Sequence, residues 1–186
     1  MKTLAVRDLM VPLAEYATVS EDATLYEAVL ALETAQESFE DKHTRYSHRA
    51  ILVLDKEGDV VGKLSQLDVL KALEPKYQDL IEGRGAQRFG LTKQFMQSML
   101  QQYNLFADPL ADICRKAGEK NVKQFMYKPS DGEYVTENAT MGEAVHQLIM
   151  GHHQSLLVTR DKKIVGILRL TDVFAYVFHE MKGCFK

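Results

Sequence analysis

The chain has 186 residues, of which 46% are apolar and 26% charged, and carries a net charge of −3. This is the balance of a globular protein, and it excludes a disordered, collagen-like or low-complexity chain. There is no overall basic field to attract nucleic acid, and unbroken apolar runs such as Ala50–Leu54 are far too short to cross a membrane. The opening MKTLAVRDLM lacks the apolar stretch of a signal peptide. Cys114 and Cys184 form no CxxC, so a thiol-reducing cytoplasm is the expected location. Both are expected to be small buried hydrophobes.

In chain order, VRDLM at 6–10 leads into a short predicted strand over 16–19. Thr24 then opens a helix, with Glu27 three residues on completing a capping box. Leu25, Ala28, Val29, Leu32, Ala35 and Phe39 fall on one face of it. Two β-rich runs at 50–54 and 60–64 flank Asp55-Lys56-Glu57-Gly58-Asp59 and predict a hairpin. A second helix begins near Ser65. The segment 75–121 is too long for a plain linker and reads as helical. Leu91, Phe95, Met99 and Tyr103 recur four apart, with Met96 and Leu100 beside them. That stripe reads as core, with a partner groove or dimer contact as the sharper alternative. Asp108-Pro109 predicts an N-cap and first turn, and Leu110, Ile113, Cys114 and Ala117 then share a face.

From 122 the first pattern returns. VKQFM at 122–126 matches VRDLM, and VTENATMGEAV at 135–145 matches VSEDATLYEAV at 19–29, both at an offset of 116 residues. SLLVTRDKKIVGILRLTD at 155–172 matches AILVLDKEGDVVGKLSQLD at 50–68, at offsets of 105 and then 104. The first copy thus holds about eleven extra residues before its second strand, a length that can extend the preceding helix by about three turns without rotating its apolar face. Each copy reads as β-α-β-β-α, an α/β unit of about 60 residues that is marginal alone. Packed sheet to sheet, two copies bury what each exposes. The organisation is therefore a repeat over 1–74, a helical insertion over 75–121 and a repeat over 122–186.

These blocks resemble a tandem pair of CBS (cystathionine-β-synthase-type) domains, a Bateman module. The likeness rests on the two leading V-[RK]-x-[LF]-M segments, the T-x-x-E-A helix starts, and the endings GKLSQLD and GILRLTD. It implies two repeats related by a pseudo-two-fold axis with clefts between them. It also implies a regulatory role, an adenine nucleotide or related adenosyl ligand, and pairing into a homodimer. No cofactor is required by it, and the regulated protein is unknown.

The resemblance and the chemistry nominate the same residues. Ser65 places a hydroxyl at a helix N-terminus, with Asp68 three residues on. Such a carboxylate accepts both hydroxyls of a ribose, and the free N–H groups favour phosphate. The same two residues are also a helix-capping pair. In the second copy Thr171 and Asp172 remain, but Arg169 stands where Ser65 would be, as a phosphate donor, a filler of the cleft or a solvated surface residue. His48 and Arg49 precede the strand that Ala50 opens, and His153 and Gln154, with His152 before them, hold the equivalent place. Both pairs reach toward phosphate or serve as rim residues. The first strands bring Ala17 and Thr18, and Glu133 and Tyr134, toward the adenine, with Tyr134 able to stack or simply to pack. Ile51 and Leu156 line the floor.

Other chemistries lack their spacing. His146, His152, His153, His179 and Cys184 contain no HExxH or CxxC. The glycine-rich stretch 83–90 lacks the Gly-Lys-Ser/Thr ending of a phosphate loop, and reads as a hinge, or as a lid carrying Arg84 and Arg88. No nucleophile signature is present, so no enzyme activity is expected. The reading is a cytoplasmic regulatory sensor that binds an adenosyl nucleotide between its repeats. The alternative is an interaction scaffold acting through the helical insertion.

Overall fold

The computed structural model describes residues 4–40, 49–77, 80 and 92–185. The calls on His48, Leu91 and the 83–90 stretch, and that on the side chain of Phe39, fall outside the described residues. In the first repeat, β2 (Thr18–Ser20), β3 (Ala50–Leu54) and β4 (Val60–Ser65) form a sheet in the order β2-β3-β4. Strand β2 runs parallel to β3, and β4 antiparallel. In the second repeat, β5 (Tyr134–Thr136), β6 (Ser155–Arg160) and β7 (Lys163–Arg169) repeat that pattern. Helices α1 (Leu25–Glu40) and α2 (Gln66–Ala72) belong to the first repeat, α5 (Met141–Gly151) and α6 (Leu170–Cys184) to the second. Between them lie α3 (Lys93–Gln102) and α4 (Leu110–Gly118). The α/β class is as the duplication predicts.

Local chemistry explains the elements. Thr24 and Glu27, and Thr140 and Glu143, form reciprocal capping boxes at the starts of α1 and α5. The Asp55 carboxylate accepts from the backbone N–H groups of Glu57 and Asp59, and Gly58 takes the positive φ of 86° that the hairpin needs. Strand β3 is apolar throughout because both faces are covered: Ala50, Ile51, Leu52 and Val53 are all buried. Helix α1 has 16 residues against 11 in α5, so part of the first copy's extra length extends this helix.

The leading segments cross over. The start of β1 (Val11–Pro12) pairs with β7 of the second repeat, and Val6 is buried in that repeat's core beside Leu156 and Leu168. Reciprocally, Tyr127 pairs with Lys63 on β4, and Val122 is buried beside Ile51 and Leu64. Each repeat's core is therefore closed by a residue from the other's lead. A third cluster of Val11, Tyr16, Leu52, Leu157 and Ile167 joins the two sheets. Together these contacts join the two repeats.

Close approach fixes two glycines. A Cβ on Gly166 would sit 2.5 Å from the Val11 carbonyl oxygen, and one on Gly62 would sit 2.6 Å from the Met126 sulfur. The Met126 side chain can swing aside, whereas the backbone of β1 cannot. Gly166→Ala is therefore expected to cost about 1–3 kcal/mol as overpacking, and Gly62→Ala less, read as the shift in the urea midpoint.

Several expectations are corrected. Val29 is exposed, and Ala31 takes its place on the packed face of α1. On α3, Phe95, Met96 and Leu100 are exposed with respect to the described residues, while Met99 and Tyr103 are half-buried, so that stripe is covered only in part. Asp108 does not cap α4; it accepts from Lys116 at 2.8 Å, and Pro109 holds the N-cap position. Leu110 and Cys114 are exposed, as is Cys184, leaving Ile113 and Ala117 to bury the face of α4. No helix among the described residues is long and apolar enough to cross a membrane.

Candidate functional site

Where the two sheets meet, they leave a cleft of about 430 Å³. The strand ends β3 and β4 and the start of α2 supply Arg49, Ala50, Ser65 and Asp68 to one wall. The equivalent segments of the second repeat supply His153, Gln154, Arg169 and Thr171 to the other. The duplication thus brings these eight nominated residues, together with Glu133 and His152, to one cavity. Asp172 is buried behind Arg169. Ala17 and Thr18 line a separate shallow depression against α1, with Glu27, Leu30 and Thr34. Tyr134 packs against the inter-sheet cluster, and its carbonyl accepts from Gln147 at 2.8 Å.

At the first repeat's end of the cleft, Ser65 caps α2. Its hydroxyl donates to Asp68 Oδ2 at 2.6 Å and its backbone N–H to the same oxygen at 3.0 Å. The other oxygen, Asp68 Oδ1, meets the Lys71 ammonium at 3.2 Å, and that lysine is exposed. An exposed ion pair is held weakly. A ligand hydroxyl can therefore take the lysine's place on this oxygen without breaking the cap.

A cross-repeat network lies on the cleft wall beside them. Lys63 Nζ donates to Glu133 at 3.0 Å and approaches Ser155 Oγ at 3.4 Å, with side-chain exposures of 12% for Lys63 and 4% for Glu133. Glu133 also accepts from the Tyr127 hydroxyl and from the Ser130 backbone N–H. Burial pushes the Glu133 carboxyl up, but the bonds from Tyr127, Ser130 and Lys63 outweigh it and hold the group below its ordinary range. The reciprocal effect raises the Tyr127 phenol, chiefly through its bond to Glu133.

At the second repeat's end, Arg169 makes a bidentate pair with Asp172, at 2.5 Å from Nε and 2.7 Å from Nη2. Tyr16 is buried against this pair. Burial raises its phenol well above the usual range; the nearby Arg169 charge and the Ala50 backbone oppose that shift, and the Asp172 charge adds to it.

The sequence motifs did not single out Tyr16, Lys63, Tyr127 or Ser155 as lining this cavity. A signal for Lys63 existed. It stands two residues before Ser65, on the same face of β4, and the second copy has Ile167 in its place. A lysine standing where the other copy has an apolar residue marks a paired or functional charge.

A CBS-domain family model matches residues 6–75 and 122–179. The chain belongs to the CBS-domain family. CBS domains are regulatory modules, and the two matched segments are the two repeats. Among solved structures, a CBS-domain containing protein from Agrobacterium tumefaciens shares 17% identity at a TM-score of 0.57, over 93% of this chain and 92% of that one. CBSX2 in complex with AMP shares 20% at a TM-score of 0.56, over 95% and 98%. The CBS domain of a CBS domain containing membrane protein from Sphaerobacter thermophilus shares 19% at a TM-score of 0.60, over 94% and 88%. At these identities the likeness shows the CBS fold. Among curated proteins, no sequence match is found.

Proposed function

We propose that this CBS pair is a regulatory sensor that binds an adenosyl nucleotide in the cleft between its repeats. The carrying observation is the open cavity with Ser65 and Asp68 at the start of α2 and with Arg49, His152 and His153 on its walls. The carboxylate suits a ribose and the cations suit phosphate. The CBSX2 complex with AMP supports the choice of ligand class. Binding would regulate through its differential affinity for two conformations of the chain or its partner. The protein works in the cytoplasm in this reading, with no chemical step of its own.

Titration calorimetry and thermal shift with AMP, ADP, ATP and S-adenosylmethionine test the proposal. A ligand at about 100 times its Kd stabilises the fold by about 2.7 kcal/mol, a readily measured rise in Tm. No heat and no shift with any of the four would overturn it.

We further propose that the chain pairs with a second copy through α6 and α2. Phe174, Phe178 and Met181 recur at spacings of four and three on α6, Phe185 follows just past its end, and all four are exposed, as are Leu67 and Leu70 on α2. An apolar helical stripe of that kind fits a partner helix. Phe174→Glu with Phe178→Glu is expected to lower the mass in sedimentation from that of a dimer to that of one chain.

The exposed Phe95, Met96 and Leu100 favour the scaffold reading as an alternative. In that case a partner would be lost on replacing these three by glutamate and kept in Asp68→Ala.

A further inference from the structure

We infer that the cleft takes one nucleotide per chain, at the Ser65–Asp68 end, because Tyr16 and Arg169 occupy the other end as a built-in substitute for a second ligand. The inference rests on the nucleotide reading above and settles where and how many.

The duplication supplies the comparison. Its offsets pair Tyr16 with Gly132 and Arg169 with Ser65. Both large members line one end of the cleft and Ser65 lines the other, while Gly132 adds no side chain to it. Tyr16, from the first repeat, is buried where it feels the charges of both Arg169 and Asp172 from the second. At the pseudo-symmetric place Gly132 has no side chain to play the part of Tyr16, and among the described residues a Cβ there would meet only His153 Nε2, at 3.6 Å.

The hydrogen-bonding capacity divides in the same way. A ribose presents two neighbouring hydroxyls to a carboxylate. Arg169 already presents two parallel N–H donors to both oxygens of Asp172, at 2.5 and 2.7 Å. The guanidinium thus does to Asp172 what the sugar would do. Both residues are buried, at 5% and 3% exposure. Prising them apart would strand a charge away from water. Among the described residues no guanidinium spans both oxygens of Asp68: one oxygen serves the cap, and the other meets the exposed ammonium of Lys71.

The test is equilibrium dialysis and native mass spectrometry with AMP as the probe, on the full chain. The unmodified protein should saturate at one AMP per chain, and Asp68→Ala should fall to none while keeping its melting transition. Tyr16→Gly with Arg169→Ser, which gives the second end the residues of the first, should rise to two. If that double variant does not fold, the Asp68→Ala measurement decides alone. Two AMP per unmodified chain, AMP retained by Asp68→Ala, or a folded double variant still at one would each overturn the inference and leave the nucleotide reading standing. No AMP, ADP, ATP or S-adenosylmethionine bound to the unmodified chain would overturn the nucleotide reading itself, and this inference with it.

Discussion

Asp172→Ala is expected to destabilise the protein by about 3–5 kcal/mol, since removing one partner of a buried ion pair leaves the other charge uncompensated. The Arg169 side chain is only 6% exposed, although it lines the cleft wall. Tyr16, which feels both charges, would lose that of Asp172 and keep that of Arg169. With a urea slope of about 2 kcal/mol/M, such a loss moves the unfolding midpoint down by about 2 M. The pair itself is a different matter. Bringing two charges out of water costs nearly as much as their attraction returns, so Arg169→Met with Asp172→Leu should lie close to the unmodified protein in stability. A single variant that unfolds at the unmodified midpoint would show that water reaches Arg169. A double variant as damaged as the single one would show that shape, and not charge, governs this end of the cleft.

The repeated blocks made most of the architecture legible. The capping boxes, the hairpin at 55–59 and the apolar strand Ala50–Leu54 each have a local physical cause, and each lies where that cause puts it. The exchange of leading segments was not legible. Val6 and Val122 are matched in sequence, but periodicity says only that each is buried, not in whose core. Strand β1 is two residues long, and its pairing with β7 is a tertiary fact with no local signature. Helix α3 shows the opposite failure. Its stripe has the right spacing for a core, yet nothing among the described residues covers Phe95, Met96 or Leu100, and spacing alone cannot distinguish a core face from a docking face. At the cleft, Ser65 and Asp68 were read as both a cap and a ligand pair, and the geometry contains the cap. Arg169 and Asp172 are three apart at a helix start. That spacing lets the two side chains meet, but only their depth shows that the contact is buried.

The cross-repeat network carries the second large effect. Glu133→Ala is expected to cost about 3–5 kcal/mol by leaving Lys63 without its counter-charge inside the cleft wall. The Tyr127 hydroxyl and the Ser130 N–H lose their acceptor at the same time. Glu133 also supplies a pH signature. Its carboxyl lies below the ordinary range when folded, burial being outweighed by its three donors. The folded state therefore holds its proton less tightly than the unfolded chain, whose glutamate titrates near 4.3. The stabilisation from this group is complete above that value and is lost as the pH falls through the lower, folded one. Glu27, Glu137, Glu143 and Asp108 are lowered too, through surface caps and ion pairs, so the whole protein should weaken in acid. Glu133→Gln isolates one contribution. Its stability measured against the unmodified protein should be lowest near neutrality, and the gap should narrow as the pH falls below about 4. Lys63→Met with Glu133→Leu should remove the same pH dependence while recovering much of the lost stability. A gap that stays constant down to pH 2 would mean that the Glu133 carboxyl binds its proton equally well in the folded and unfolded chain, so that its three donors add nothing net to stability.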